Sequence, residues 1–245
     1  NKGEGILGQA PSTSTNVSSF VGITSAAITS GASGDIALKG GIAASVDAPL
    51  LQLYGSEAVF NSGSTNYVSL SFDPNTANKF VAVYRDVSNS NYGTAVVGTV
   101  SGTSISYGTV VDFNGTDSTI YPWIDFDPST AGSFVICFKD QQNSQYGVAI
   151  VGTMSGTSLS FGTKSVFASA RSDDSRIAFD PTTANKCVIC YKDQPNSSYG
   201  TAIVGTVSGT SISFSSEYVY NNGNTTDSVV AFDPSTANRF LIVYK

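Results

Sequence analysis

Apolar residues along this chain alternate with small or polar ones in short runs, separated by punctuation rich in Gly, Pro, Asp and Asn. Val68-Ser69-Leu70-Ser71-Phe72 has the two-residue period of a strand. Asp73-Pro74-Asn75-Thr76-Ala77-Asn78 follows, and it is turn chemistry: Pro presets φ, while Asp and Asn bond their own backbone. The pattern then predicts a second strand over Phe80–Tyr84, a polar loop over Asp86–Asn91 and a third strand over Thr94–Val100. A tight turn at Ser101-Gly102-Thr103 leads to a fourth strand over Ser104–Phe113.

The same words return downstream. Phe-Asp-Pro begins at Phe72, Phe126, Phe179 and Phe232, at intervals of 54, 53 and 53 residues. Tyr84-Arg85-Asp86 recurs as Phe138-Lys139-Asp140 and Tyr191-Lys192-Asp193, then as Tyr244-Lys245. Tyr92-Gly93-Thr94-Ala95-Val96-Val97 recurs from Tyr146 and from Tyr199. Four antiparallel strands in a period of roughly 50 residues are the signature of a β-propeller blade. The last repeat holds only strands one and two. Ser56–Asn61 matches Ser216–Asn221 at the fourth-strand position, and Ala37–Ile42 falls where strand three belongs.

The expected fold is therefore all-β: a four-bladed β-propeller over residues 34–245, closed by N- and C-terminal strands sharing one blade. Closure of this kind covers apolar faces and strand edges. Five blades, or an arc completed by another chain, fit the same spacing. Residues 1–33 are rich in Gly, Ser and Thr and read as an arm or linker that a fibre or virion partner could engage.

Composition narrows the chemistry. The chain has no histidine, which excludes Ser-His-Asp and Cys-His catalysis and His-ligated zinc or haem. Lys and Arg number 12 against 18 Asp and Glu, a net charge of −6, so duplex nucleic acid is not an expected partner. No run of 18 apolar residues exists to span a membrane as a helix. No metal or other cofactor is expected. Cys187-x-x-Cys190 resembles a metal or redox spacing, but residues three apart on a strand point to opposite faces. The repeat also sets Cys137 and Cys190 in the column of Val83 and Val243, so buried thiols are expected. The opening Asn1-Lys2-Gly3-Glu4-Gly5 lacks the basic and apolar stretches of a secretory signal, and a processed or partial chain is expected.

Two groups of loops offer candidate ligand positions. The loop between strands two and three presents Asp86, Asn89 and Tyr92, then Asp140, Asn143 and Tyr146, then Asp193, Asn196 and Tyr199. Carboxylate and amide suit sugar hydroxyls, and a Tyr ring can stack on a pyranose. Asx-turn bonding explains the same residues equally simply, and better explains their recurrence. The connections from strand four to the next strand one are Asn61–Asn66, Asn114–Tyr121, Ala168–Asp174 and Asn221–Asp227. They share a face with the first group, so Tyr121, Trp123, Asp125, Asp173, Asp174 and Arg176 are expected to converge. Packing between blades is an equal explanation for Trp123.

The words Phe-Asp-Pro-x-Thr-Ala-Asn, Tyr-Lys-Asp and Gly-Thr-Ala-Ile-Val-Gly-Thr-Val-Ser-Gly-Thr-Ser-Ile-Ser-Phe resemble repeat arrays in tail-fibre-like and virion structural proteins of marine bacteriophages. The resemblance covers residues 56–245, and the stretch from Phe20 to Gly34 is similar to segments that accompany such arrays. It implies display on a virion or cell surface and attachment rather than a reaction. The expected function is non-enzymatic binding of a glycan or another cell-surface component. A purely structural fibre module and a glycoside-cleaving enzyme, with Asp125, Asp173, Asp174 and Asp227 as its carboxylates, are the alternatives.

Overall fold

The computed structural model describes residues 55–115 and 117–245. All strands of the described residues lie in the second of the chain's two units, Ala58–Lys245. The described residues form sixteen strands, all in antiparallel sheets, and no helix. Repeat I holds β1 (Thr65–Phe72), β2 (Lys79–Asp86), β3 (Tyr92–Ser101), β4 (Ser104–Tyr107) and β5 (Val111–Asp112). Repeat II holds β6 (Thr119–Phe126), β7 (Ser133–Asp140), β8 (Tyr146–Ser155), β9 (Ser158–Phe161) and the start of β10 (Ser165–Phe179). Repeat III takes the end of β10, then β11 (Lys186–Asp193), β12 (Tyr199–Ser208), β13 (Ser211–Phe214) and β14 (Tyr218–Asn221). Repeat IV holds β15 (Val229–Phe232) and β16 (Phe240–Val243), paired only with each other among the described residues.

Each complete repeat runs in sequence order, as in β1-β2-β3-β4. Strand two carries apolar side chains on both faces, so each sheet needs a neighbour on each side. In β7, Val135 and Cys137 pack toward repeat III, while Phe134, Ile136 and Phe138 pack toward repeat I. The cores consequently lie between successive repeats. Aromatic pairs join each outer segment to the next strand two: Phe113 with Phe138 at 5.3 Å, Phe167 with Tyr191 at 5.2 Å and Tyr220 with Tyr244 at 5.4 Å.

The Phe-Asp-Pro aspartates tie the repeats together. One oxygen of Asp73 accepts the Asn75 N–H at 2.9 Å, closing its own turn, and the other accepts the Gly132 N–H of repeat II at 3.0 Å. Asp180 does the same with Thr182 at 2.8 Å and with Asn238 of repeat IV at 2.9 Å. Between repeats II and III the link is indirect: the Asn185 N–H donates to Ser129 Oγ, itself bonded to Asp127 at 2.6 Å. The donors are left-handed residues, Gly132, Asn185 and Asn238. Asn and Gly are the residues that tolerate this backbone.

Three features differ from the sequence expectation. The fourth strand of repeat I breaks into β4 and β5 at Gly108, where a Cβ would lie 2.3 Å from the Thr157 carbonyl oxygen of the next hairpin. The connection Ala168–Asp174 is not a loop; it lies within the 15-residue β10, which pairs with both β8 and β11 and fuses repeats II and III into one nine-stranded sheet. Residues 55–61 form no strand, although Phe60 packs 5.0 Å from Tyr84, the contact that Phe113 makes in the next repeat. The expected arm over residues 1–33 and the expected strand at Ala37–Ile42 lie outside the described residues.

Candidate functional site

The turns between strands two and three spend polar groups on structural hydrogen bonds, within the turn and to neighbouring strands. The Asn89 N–H donates to the Asp86 side chain at 3.1 Å, and the Tyr92 N–H donates to the Asn89 carbonyl at 3.0 Å. The intervening Ser90 and Asn91 have φ of 53° and 65°. Two consecutive left-handed residues spanned by that bond mark a type I′ turn. Tyr146 with Asn143 and Tyr199 with Asn196 repeat the bond at 2.9 and 3.0 Å. Asp140 is fully buried and takes Lys164 Nζ at 3.0 Å. Burial, reinforced by the charge of Glu217, raises the Asp193 carboxyl above its ordinary range. Tyr92, Tyr146 and Tyr199 are half-buried.

The start of each strand one behaves differently. The pairing slips between Asn66 and Ser69 in β1, between Ile120 and Trp123 in β6, and between Asp173 and Arg176 in β10. Each slip is a β-bulge, which re-aims a side chain. Its left-handed residue is Tyr67, Tyr121 or Asp174, and Asp227 holds the same place before β15; their φ values are 55°, 55°, 52° and 55°. A Tyr rarely adopts this conformation, and it costs about 1 kcal/mol or more.

The two tyrosines of this column touch, and Asp174 feels the charge of Asp227. The rings of Tyr67 and Tyr121 lie 4.8 Å apart, edge to face. Burial raises the Tyr121 hydroxyl pKa, with Asp174 and Tyr67 adding to it. Burial likewise raises the Asp174 carboxyl; Arg176 opposes the shift, and Asp173 and Asp227 reinforce it. Neither Asp174 nor Asp227 joins an ion pair among the described residues. The neighbouring Asp173 is fully engaged: Lys139 and Arg171 pair with it, and Gln194 donates to it at 2.6 Å. Burial works against its charge, but the Lys139 hydrogen bond and charge prevail and hold its carboxyl below the ordinary range. Lys139 Nζ also lies 5.3 Å from the centre of the Tyr121 ring. Lys139 thus lies beside both Tyr121 and Asp173, and Tyr67, which the sequence reading overlooked, packs against Tyr121. Tyr67 stands 54 residues before Tyr121, and that column was the available signal.

Trp123, Asp125 and Arg176 belong to the same strands, farther along. The Arg176 guanidinium lies 4.4 Å from the Trp123 ring centre, and Trp123 packs against the core between repeats II and III. Asp125 accepts hydrogen bonds from Ser71 Oγ at 3.1 Å, from the Phe179 N–H at 2.8 Å and from the Phe126 N–H at 3.0 Å. It therefore laces together the inner strands of repeats I, II and III; burial raises its carboxyl despite these bonds. Strand-one residues of all four repeats, Ser71, Trp123, Asp125, Ala178 and Ala231 among them, line one open cavity of about 370 Å³.

Cys137, Cys187 and Cys190 are free, buried thiols. Burial pushes Cys137 and Cys190 up to about 12, and Cys187 is raised as well. Cys187 and Cys190 pack into different cores, as expected for opposite faces of one strand. Among the described residues no group of three or more Cys, Asp or Glu side chains is placed to hold a metal ion.

No protein-family model matches the chain, and no curated protein does. Among solved structures the chain is similar to Sqt1 from Chaetomium thermophilum, with 16% identity and a TM-score of 0.48 over 71% of this chain. It spans 39% of that protein's chain.

Proposed function

We propose that this chain is a non-enzymatic binding module whose four repeats are β-propeller blades, displayed on a virion or cell surface in a fibre- or adhesin-like protein. Its ligand is a glycan or another hydroxyl-rich surface polymer. The site is the bulge column of Tyr67, Tyr121, Asp174 and Asp227. One observation carries this reading: an equivalent, strained backbone position in all four repeats presents two aromatic rings and two unpaired carboxylates. Strained positions that do not serve packing mark functional sites. A Tyr face takes the C–H surface of a sugar ring, and a carboxylate accepts its hydroxyls.

The non-enzymatic part of the reading rests on the engagement of the other acids. Asp125 and Asp173 are consumed by structural hydrogen bonds and ion pairs, which leaves no carboxylate of either free to act as a general acid or nucleophile. Binding to immobilised cell-wall and capsular polysaccharides tests the proposal. Tyr121→Ala and Asp174→Asn should each weaken binding at least about tenfold, the worth of one stacked ring or charged hydrogen bond. Asn89→Ala should leave it unchanged. The reading fails if the wild-type chain retains no polymer, or if Tyr121→Ala binds as the wild type does.

A further inference from the structure

The bulge column has a basic column beside it. Strand two carries Arg85, Lys139, Lys192 and Lys245 at equivalent positions of the four repeats. Arg85 stands opposite Asn66, Lys139 opposite Ile120 and Lys192 opposite Asp173, each partner being one residue before a bulge residue. Alternation sets Arg85 on the strand face of Val83, Lys139 on that of Cys137 and Lys192 on that of Cys190. These are the faces that pack toward the next repeat.

Between repeats II and III the next repeat supplies a counter-ion. Buried Lys139 pairs there with Asp173. The residue in the place of Asp173 is Ile120 in repeat II and Thr226 in repeat IV, and neither carries a charge. Lys192 acts instead on Asp174, whose carboxyl feels its charge. Arg85 makes no ion pair among the described residues, and its Nε is buried there without an acceptor. Asp86, its neighbour in the chain, belongs to the other strand face and accepts the Asn89 N–H of its own turn. A buried donor left unpaired is costly, and more so on a charged group.

The column is consequently polarised. Repeats I and II bring Arg85 and the edge-to-face rings of Tyr67 and Tyr121, with Tyr67 40% exposed. Repeats III and IV bring Asp174 and Asp227. A neutral sugar has no group that uses the charge of Arg85. A sugar acid has one, because the guanidinium fork matches a carboxylate or a sulfate with two parallel hydrogen bonds. We infer that the ligand of this column is an anionic polysaccharide, its uronate carboxylate or sulfate ester held by Arg85 between repeats I and II and its sugar ring laid on Tyr67. The inference rests on the bulge column being the binding site. The ligand's acid group plays for Arg85 the part that Asp173 plays for Lys139, and Asp174 and Asp227 repel it from the other half of the column and accept sugar hydroxyls there.

Affinity for three immobilised polymers tests it: alginate for carboxylates, carrageenan for sulfate esters and dextran as the neutral reference. The wild-type chain should bind one of the acidic polymers at least about tenfold more tightly than dextran, the worth of one charge-assisted pair. Preference for alginate assigns the acid group as a carboxylate, and preference for carrageenan assigns it as a sulfate. Arg85→Gln should abolish the preference. Ile120→Asp gives Arg85 a carboxylate from the next repeat and should abolish it as well. Lys79→Gln, at the far end of the same strand, should leave it intact. The inference is overturned if dextran binds as tightly as both acidic polymers, if Arg85→Gln or Ile120→Asp keeps the preference, or if Lys79→Gln loses it equally. Continued weakening by Tyr121→Ala in those cases leaves the column itself standing. Should Tyr121→Ala bind all three polymers as the wild type does, the column reading fails and the inference falls with it.

Discussion

Repeats II and IV share the same words and have opposite surroundings. Strand two reads Phe134-Val135-Ile136-Cys137-Phe138 in one and Phe240-Leu241-Ile242-Val243-Tyr244 in the other. The first is entirely buried, sandwiched by repeats I and III. In the second every residue but Ile242 is exposed among the described residues, with Ile242 and Tyr244 reaching repeat III. A continuously apolar strand thus specifies a sheet with two greasy faces, and the number of neighbours decides whether those faces are buried. The difference is energetic as well. Phe138→Ala should destabilise the protein by about 4 kcal/mol, through lost transfer energy and a residual cavity. Tyr244→Ala, at the same column, should cost about 1 kcal/mol by urea denaturation. Equal losses would mean that repeat IV is as enclosed as repeat II.

A second contrast sits within one strand. Asp173 and Asp174 are adjacent, and their carboxyls shift in opposite directions. Asp173→Asn strips buried Lys139 of its partner and should cost about 3 kcal/mol at neutral pH. Because the folded pKa of Asp173 is depressed, its contribution is present above about pH 4 and is lost as pH falls through that lowered value. The gap between variant and wild type should therefore narrow in unfolding measurements at pH 3. Asp174 has the opposite sign: its raised pKa makes ionisation unfavourable in the folded state, so wild-type stability falls as pH rises through it. Asp174→Asn should stabilise the neutral protein by a few tenths of a kcal/mol, a small effect because the group is partly solvated. If this substitution destabilises the protein while abolishing polysaccharide binding, Asp174 is a structural residue.

The strand positions were legible because the 53- to 54-residue period repeats turn chemistry and two-residue alternation together. The bulges were not. A bulge is a slip in pairing between two strands, and neither strand's own pattern contains it. Tyr67 was hidden for that reason, since it precedes the clean alternation from Val68 to Phe72. The continuity of β10 was hidden for another: Ala168–Asp174 carries the polar residues of a loop, yet pairing with β8 and β11 extends through most of it. The turn residues read correctly as turn residues, because Asx and type I′ bonding is local and sequence reports local chemistry well.

The uninterrupted β10 has a mechanical meaning. One bulged strand serves as the last plank of one ladder and the first plank of the next, so strain applied to either is felt by both. Repeats II and III should melt and exchange their amides as a single cooperative block, with the repeats at the rim fraying first. Under mechanical load, that block is the part expected to yield last.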